Sequence, residues 1–195
     1  MQVLKLAAVA ALALGLAACD SAPDGSAPPT EGVTDALIAA AAPEEWLSHG
    51  RDYGEQRFSP LTQINAANVA ELGLIWSYDF DTARGQEATP LVHDGVLYTT
   101  SAWSKVYAFN AVSGELLWSY DPEVPRDTLA VACCDAVNRG VALYGDTDDD
   151  ATLNGYLVAL NQSDGSVAWS TEYVPDHDSY TSTGAPRVAG GKVFI

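Results

Sequence analysis

From Trp46 onward, apolar and polar residues alternate in short runs of about six residues that never settle into a helical period. GLIWSYDF (73–80), GVLYTT (95–100), KVYAFN (105–110), ELLWSY (115–120), YLVALN (156–161) and SVAWST (166–171) are rich in Val, Leu, Tyr and Trp. Turn chemistry separates them: His93-Asp94-Gly95, Ser113-Gly114, Asp164-Gly165 and Gly190-Gly191. Such runs predict β-strands joined by tight turns. Ahead of them a short helix is expected over Asp35 to Ala42, with Thr34 or Asp35 as N-cap and Pro43 just past its end.

The strand pattern repeats. YAFNAVSGELLWSY and VALNQSDGSVAWST align without gaps at an offset of 51 residues, so Ala108, Gly114 and Trp118 correspond to Ala159, Gly165 and Trp169. A four-stranded unit ending in a turn glycine and a tryptophan reads as a β-propeller blade. The paired tryptophans are expected to wedge blade against blade, with Trp76 in GLIWSYDF as a third wedge on the edge of an incomplete or shared first blade. The fold class is therefore all-β. Two blades cannot close a ring, so the sequence is expected to be part of a longer chain.

The N-terminus carries a different pattern. Lys5 is followed by an apolar run, Leu6 to Ala18, too short to span a bilayer comfortably, and then by Leu16-Ala17-Ala18-Cys19. Small residues before a cysteine resemble a bacterial lipobox, in which Cys19 is lipidated; a plain signal peptide cut nearby is the alternative. Asp20 to Pro43 is small, polar and rich in Pro and Gly, as in a flexible tether. The expected organisation is a signal over 1–19, a tether with a short helix over 20–43, and a truncated propeller over 44–195. The expected location is the periplasm, where disulfides are permitted and membrane contact runs only through the possible lipid anchor. The formal charge of −17 argues against nucleic acid and anionic lipid as partners.

Cysteine usage adds one oddity. Cys133 and Cys134 are adjacent, and Cys19 is the only other cysteine. They could bond to each other, bond to another chain, or remain two small buried thiols. An ordinary disulfide wants its Cα atoms roughly 4.4–6.8 Å apart, against about 3.8 Å for trans neighbours, so a ring here would distort the backbone. His49, His93 (in a hairpin turn) and His177 (in an acidic loop) make no metal site, and no CxxCH haem motif is present. In TDDDA (147–151), Asp146, Asp148 and Asp150 alternate like the start of an EF-hand. The glycine is missing, however, and Leu157 stands at position twelve. It reads as a solvated acidic loop or a shortened edge strand, with a calcium loop second.

Four segments then converge on one family. GRDYGEQRFSPLTQIN (50–65), RGQEATPLV (84–92), ACCDAVNRG (132–140) and YTSTGAPRV (180–188) resemble the N-terminal part of quinoprotein alcohol dehydrogenases. These use pyrroloquinoline quinone (PQQ) in an eight-bladed propeller. The resemblance implies that a Cys133–Cys134 disulfide ring forms one wall of the cofactor slot. It implies that Arg139 contacts a cofactor carboxylate and that Glu87 and Thr183 hydrogen-bond the cofactor. PQQ is a planar ortho-quinone with three carboxylates, and a guanidinium fork suits such a group. The opposing tryptophan, calcium, its ligands and an aspartate base are expected beyond this stretch. The implied activity is oxidation of a primary alcohol to an aldehyde. Electrons would pass to a cytochrome c or a quinone-linked acceptor, with haem c possible in a further domain. Taken singly, Arg139, Glu87 and Thr183 also fit a surface salt bridge, a solvated turn and an ordinary strand. A second class carries PQQ-like repeats without catalysis, as lipoprotein scaffolds of outer-membrane protein assembly; it needs neither the adjacent cysteines nor the polar set.

Overall fold

The computed structural model describes residues 32–175 and 180–195; the leader, Cys19, most of the tether and His177 lie outside them. The helix α1 spans Asp35–Ala40, capped by Thr34, whose hydroxyl accepts from the Leu37 amide at 3.3 Å. It ends at Ala41, in the left-handed region (φ 47°), two residues before Pro43.

Two four-stranded antiparallel sheets follow. β1 (Leu91–His93), β2 (Val96–Ser101), β3 (Lys105–Asn110) and β4 (Leu116–Tyr120) lie in chain order. So do β5 (Ala142–Tyr144), β6 (Thr147–Ala151), β7 (Tyr156–Asn161) and β8 (Val167–Glu172). A hairpin of β9 (Arg187–Ala189) and β10 (Lys192–Phe194) forms a third, two-stranded sheet. The repeat recurs in the register: Ala108 opposes Trp118 and Ala159 opposes Trp169, each beside a bulge. Apolar residues of both sheets, among them Leu91, Val106, Trp118, Leu143 and Leu160, fuse into one core.

Two of the three tryptophans wedge the units as the repeat implies, whereas Trp169 is 42 % exposed. The Trp118 ring covers Gly165 in the next blade and its indole N–H donates to the Gln162 carbonyl at 2.9 Å. Trp76 covers Gly114 in the same way and donates to the Ala111 carbonyl at 3.1 Å. Residues 73–80, however, form no ladder. They lie on the β3 face through Tyr78 and Phe80, whose rings sit 4.8 Å from those of Phe109 and Tyr107. The segment thus packs across the face of the β1–β4 sheet.

The acidic run departs furthest from expectation. TDDDA is neither a solvated loop nor an edge strand but β6, paired with β5 on one side and β7 on the other. Asp148, Asp149 and Asp150 are 0, 2 and 0 % exposed. A strand sends successive side chains to opposite faces, so Asp149 points away from its two neighbours and no calcium loop forms. Register explains the burial: β5 and β7 are apolar and fix the middle strand whatever its residues.

Residues 33–57 strap the hairpin ends together. Val33 bridges to Gly145 and Trp46 bridges to Val92. The Asp35 carboxylate accepts from the Tyr53 hydroxyl (2.5 Å), the Tyr144 hydroxyl (3.1 Å) and the Gly190 amide (3.0 Å). The Glu45 carboxylate caps the β1–β2 turn, at 3.0 Å from His93 Nδ1 and 3.2 Å from the Asp94 amide. His93 is therefore the buried end of β1 rather than a turn residue. The Tyr53 hydrogen bond, followed by the Gly190 amide, holds Asp35 below the usual carboxylate range. A depressed carboxyl stabilises the fold above its unfolded pKa and loses that effect as pH falls. Asp35→Ala is accordingly expected to lower the urea midpoint at pH 7. The gap to the unmutated protein should narrow below about pH 4, as unfolding curves at both pH values would show.

Candidate cofactor-binding site

β1, β5 and β9 are the first strands of successive units, and each is preceded by a loop carrying one member of the polar set. Glu87 lies four residues before β1, Arg139 three before β5 and Thr183 four before β9. The strap binds the turns at the far ends of these strands, so the three side chains gather at the opposite end of the fold.

They meet. Arg139 Nη2 lies 2.8 Å from Glu87 Oε2, and Arg139 Nη1 donates to both the Thr183 hydroxyl and, at 3.2 Å, its carbonyl. The side chains of Arg139 and Glu87 remain 41 and 42 % exposed, so the cluster still presents polar edges outward. The loops themselves are stitched: the Thr89 amide donates to the Arg139 carbonyl at 3.2 Å. Gly140 is required at this seam. Its φ is 115°, and a Cβ there would lie 3.1 Å from the Thr89 carbonyl oxygen.

Cys133 and Cys134 are joined as a disulfide with Cα atoms 3.8 Å apart, and both are exposed. The stretch just after the disulfide meets a platform built on Trp103. The Trp103 amide donates to the Ala136 carbonyl at 2.8 Å, and Ala102, Trp103, Val124, Ala136 and Leu153 are buried together. Arg84 and Arg126 place their guanidinium carbons 5.2 and 4.0 Å from the Trp103 ring, in cation–π range. Arg84 also pairs with the Asp135 carboxylate, next to the ring. Sequence reading missed this platform. Trp103 sits outside the repeat at φ 70°, a conformation nothing in its residue type announces.

Asn138 was missed too, although it lies one residue before Arg139. Fully buried, it accepts from the Thr100 hydroxyl (2.8 Å) and the Gly140 amide (2.9 Å), and donates to Asp150 Oδ1 (2.8 Å). At the other end of the fold, Glu45, His93 and Asp94 bring ligand-type atoms within 4.8 Å of one another, where they act as the turn cap described above.

Comparison with known proteins gives one consistent outcome. The family described as "PQQ: Glucose/ethanol/alcohol dehydrogenase, beta-propeller domain" matches residues 46–170. Quinohemoprotein alcohol dehydrogenase ADH IIB of Pseudomonas putida is 55 % identical over 166 residues, covering 84 % of this chain and 24 % of the relative. The 1-butanol dehydrogenase (cytochrome c) of Thauera butanivorans is 51 % identical, covering 80 and 23 %. The solved structure of quinohemoprotein alcohol dehydrogenase ADHIIG from Pseudomonas putida HK5 superposes with a TM-score of 0.81 at 52 % identity, covering 83 and 24 %. The chain thus spans about a quarter of the length of these relatives.

Proposed function

We propose that this chain, which belongs to the PQQ-dependent glucose/ethanol/alcohol dehydrogenase family and has its β-propeller fold, supplies part of a cofactor-binding site. At full length the protein is an exported quinoprotein that oxidises a primary alcohol to an aldehyde. The observation that carries this reading is the convergence of Glu87, Arg139 and Thr183 from three successive units, together with an exposed Cys133–Cys134 ring.

The residues fit the cofactor. Arg139 offers a half-exposed guanidinium to a carboxylate, Thr183 a neutral hydroxyl, and Glu87 an acceptor that orients the Arg139 fork. The disulfide ring offers a stiff, exposed face. PQQ, when bound, supplies a two-electron acceptor for the alcohol's hydride. What this stretch contributes is binding and orientation; calcium and an aspartate base would come from later blades. The electron acceptor is a cytochrome c or a quinone-linked carrier, in keeping with the cytochrome c in the name of the Thauera butanivorans relative.

The test uses the full-length protein, stripped of metal and cofactor and then assayed for alcohol-dependent dye reduction with PQQ and calcium added singly and together. Activity requiring both supports the reading, and activity indifferent to PQQ ends it. Arg139→Ala removes a charge-assisted contact and is expected to raise the PQQ concentration for half-saturation by about 10- to 100-fold. Titrating the apo-enzyme with PQQ measures that shift.

A further inference from the structure

The Asn138 side chain connects one face of β6 to the candidate site. Asp150, fully buried, accepts from Asn138 Nδ2 at 2.8 Å through Oδ1. Asn138 Nδ2 also reaches the Ala151 carbonyl at 3.3 Å, which ties it to β6 twice. Its Oδ1 holds the Gly140 amide at 2.9 Å and the Thr100 hydroxyl of β2 at 2.8 Å. Asn138 thus clasps the second strand of each blade and, between them, the backbone that carries Arg139. An amide has two donors and two acceptor sites, and here each half of the Asn138 side chain has two partners.

We propose that Asp150 and Asn138 are positioning residues for Arg139, a buried relay from β6 that fixes the Arg139–Gly140 backbone and so the reach of the guanidinium to Glu87 and Thr183. Asp148 stands two residues away on the same strand face, and neither of its carboxylate oxygens has a hydrogen-bond partner. It supplies the contrast within one strand: Asp150 is engaged in the relay and Asp148 is not. The geometric part stands on the hydrogen bonds above. Its consequence for cofactor binding rests on the function proposed in the preceding section.

The test has two readouts in the full-length protein. The first is hydrogen–deuterium exchange of the peptide spanning Asn138–Val141, without cofactor. Asn138→Ala and Asp150→Ala each remove a buried hydrogen bond and should speed exchange at Gly140 about tenfold or more. Asp150→Asn keeps an acceptor for Asn138 and should restore slow exchange, whereas Asp148→Val should not speed it. The second readout is PQQ titration, in which the two alanine variants should need about tenfold more cofactor and Asp150→Asn should not. Should Asn138→Ala fail to fold, the Asp150 pair decides. Unchanged Gly140 exchange in Asp150→Ala, or an Asp150→Asn variant as perturbed as the alanine, overturns the relay. If the exchange pattern holds but the unmutated protein takes up no PQQ, the proposed function falls and the positioning of Arg139 stands.

Discussion

Gly165→Ala is expected to lower the unfolding free energy of the full-length protein by about 3 kcal/mol or more. Two independent costs meet at this turn. Its φ is 71°, where an L-residue pays roughly 1–2 kcal/mol. A Cβ would also lie 2.5 Å from Cε3 and 2.7 Å from Cδ2 of Trp118. The ring cannot slide away freely, because its N–H is tied to the Gln162 carbonyl and its flank is core. Gly95 separates the two terms. It shares the left-handed conformation (φ 74°) but has nothing within 4 Å of an added Cβ, so Gly95→Ala should cost only about 1 kcal/mol. Denaturant unfolding of both variants measures the difference, and equal losses would show that the Trp118 wedge is not rigid.

Asp148→Val is expected to act in the opposite direction, raising stability at pH 8 by about 2–4 kcal/mol. Asp148 is completely buried and both its carboxylate oxygens lack hydrogen-bond partners. Burial, and then the Asp150 and Asp149 charges, push its pKa well up. Burial raises Asp150 to about 7 against the pull of Asn138, and raises Asp149 to about 6. Among the described residues, no lysine or arginine pairs with any of the three.

All three shifts have the same sign. A carboxyl whose folded pKa is raised stabilises most when protonated in both states, below about pH 4, and that stability drains away as pH climbs through the folded value. For Asp150 the loss between about pH 4 and pH 8 is on the order of 4 kcal/mol. The benefit of Asp148→Val should therefore be larger at pH 8 than at pH 5, since valine removes a group whose charging the fold resists. A variant less stable than the unmutated protein at pH 8 would show that Asp148 has a partner worth keeping.

Legibility in the sequence followed physical signal strength. β2, β3, β4, β7 and β8 stand out because six-residue apolar runs between turn glycines admit few other readings. β6 was misread because three aspartates carry no apolar signal; neighbouring strands, not its own residues, put it in the interior. The segment 73–80 has the composition of a strand but pairs with no other strand among the described residues. Glu87, Arg139 and Thr183 were found through motif resemblance, since nothing in spacing alone brings together side chains about 50 residues apart. Asn138, Trp103, Arg84 and Arg126 escaped for a related reason: their roles exist only once loops from different units are adjacent.

The strap also bears on the order of assembly. The Asp35–Gly190 hydrogen bond closes a loop of 155 residues, whereas each blade is knit by hairpins between sequence neighbours. Entropy favours the short closures first. The strap, made before the blades, therefore docks last, when β9 and β10 exist to receive it. Contacts formed after the rate-limiting step chiefly govern how fast the native state is lost. The Asp35 clasp should accordingly act as a kinetic latch, slowing escape from the folded state while leaving the rate of reaching it nearly unchanged.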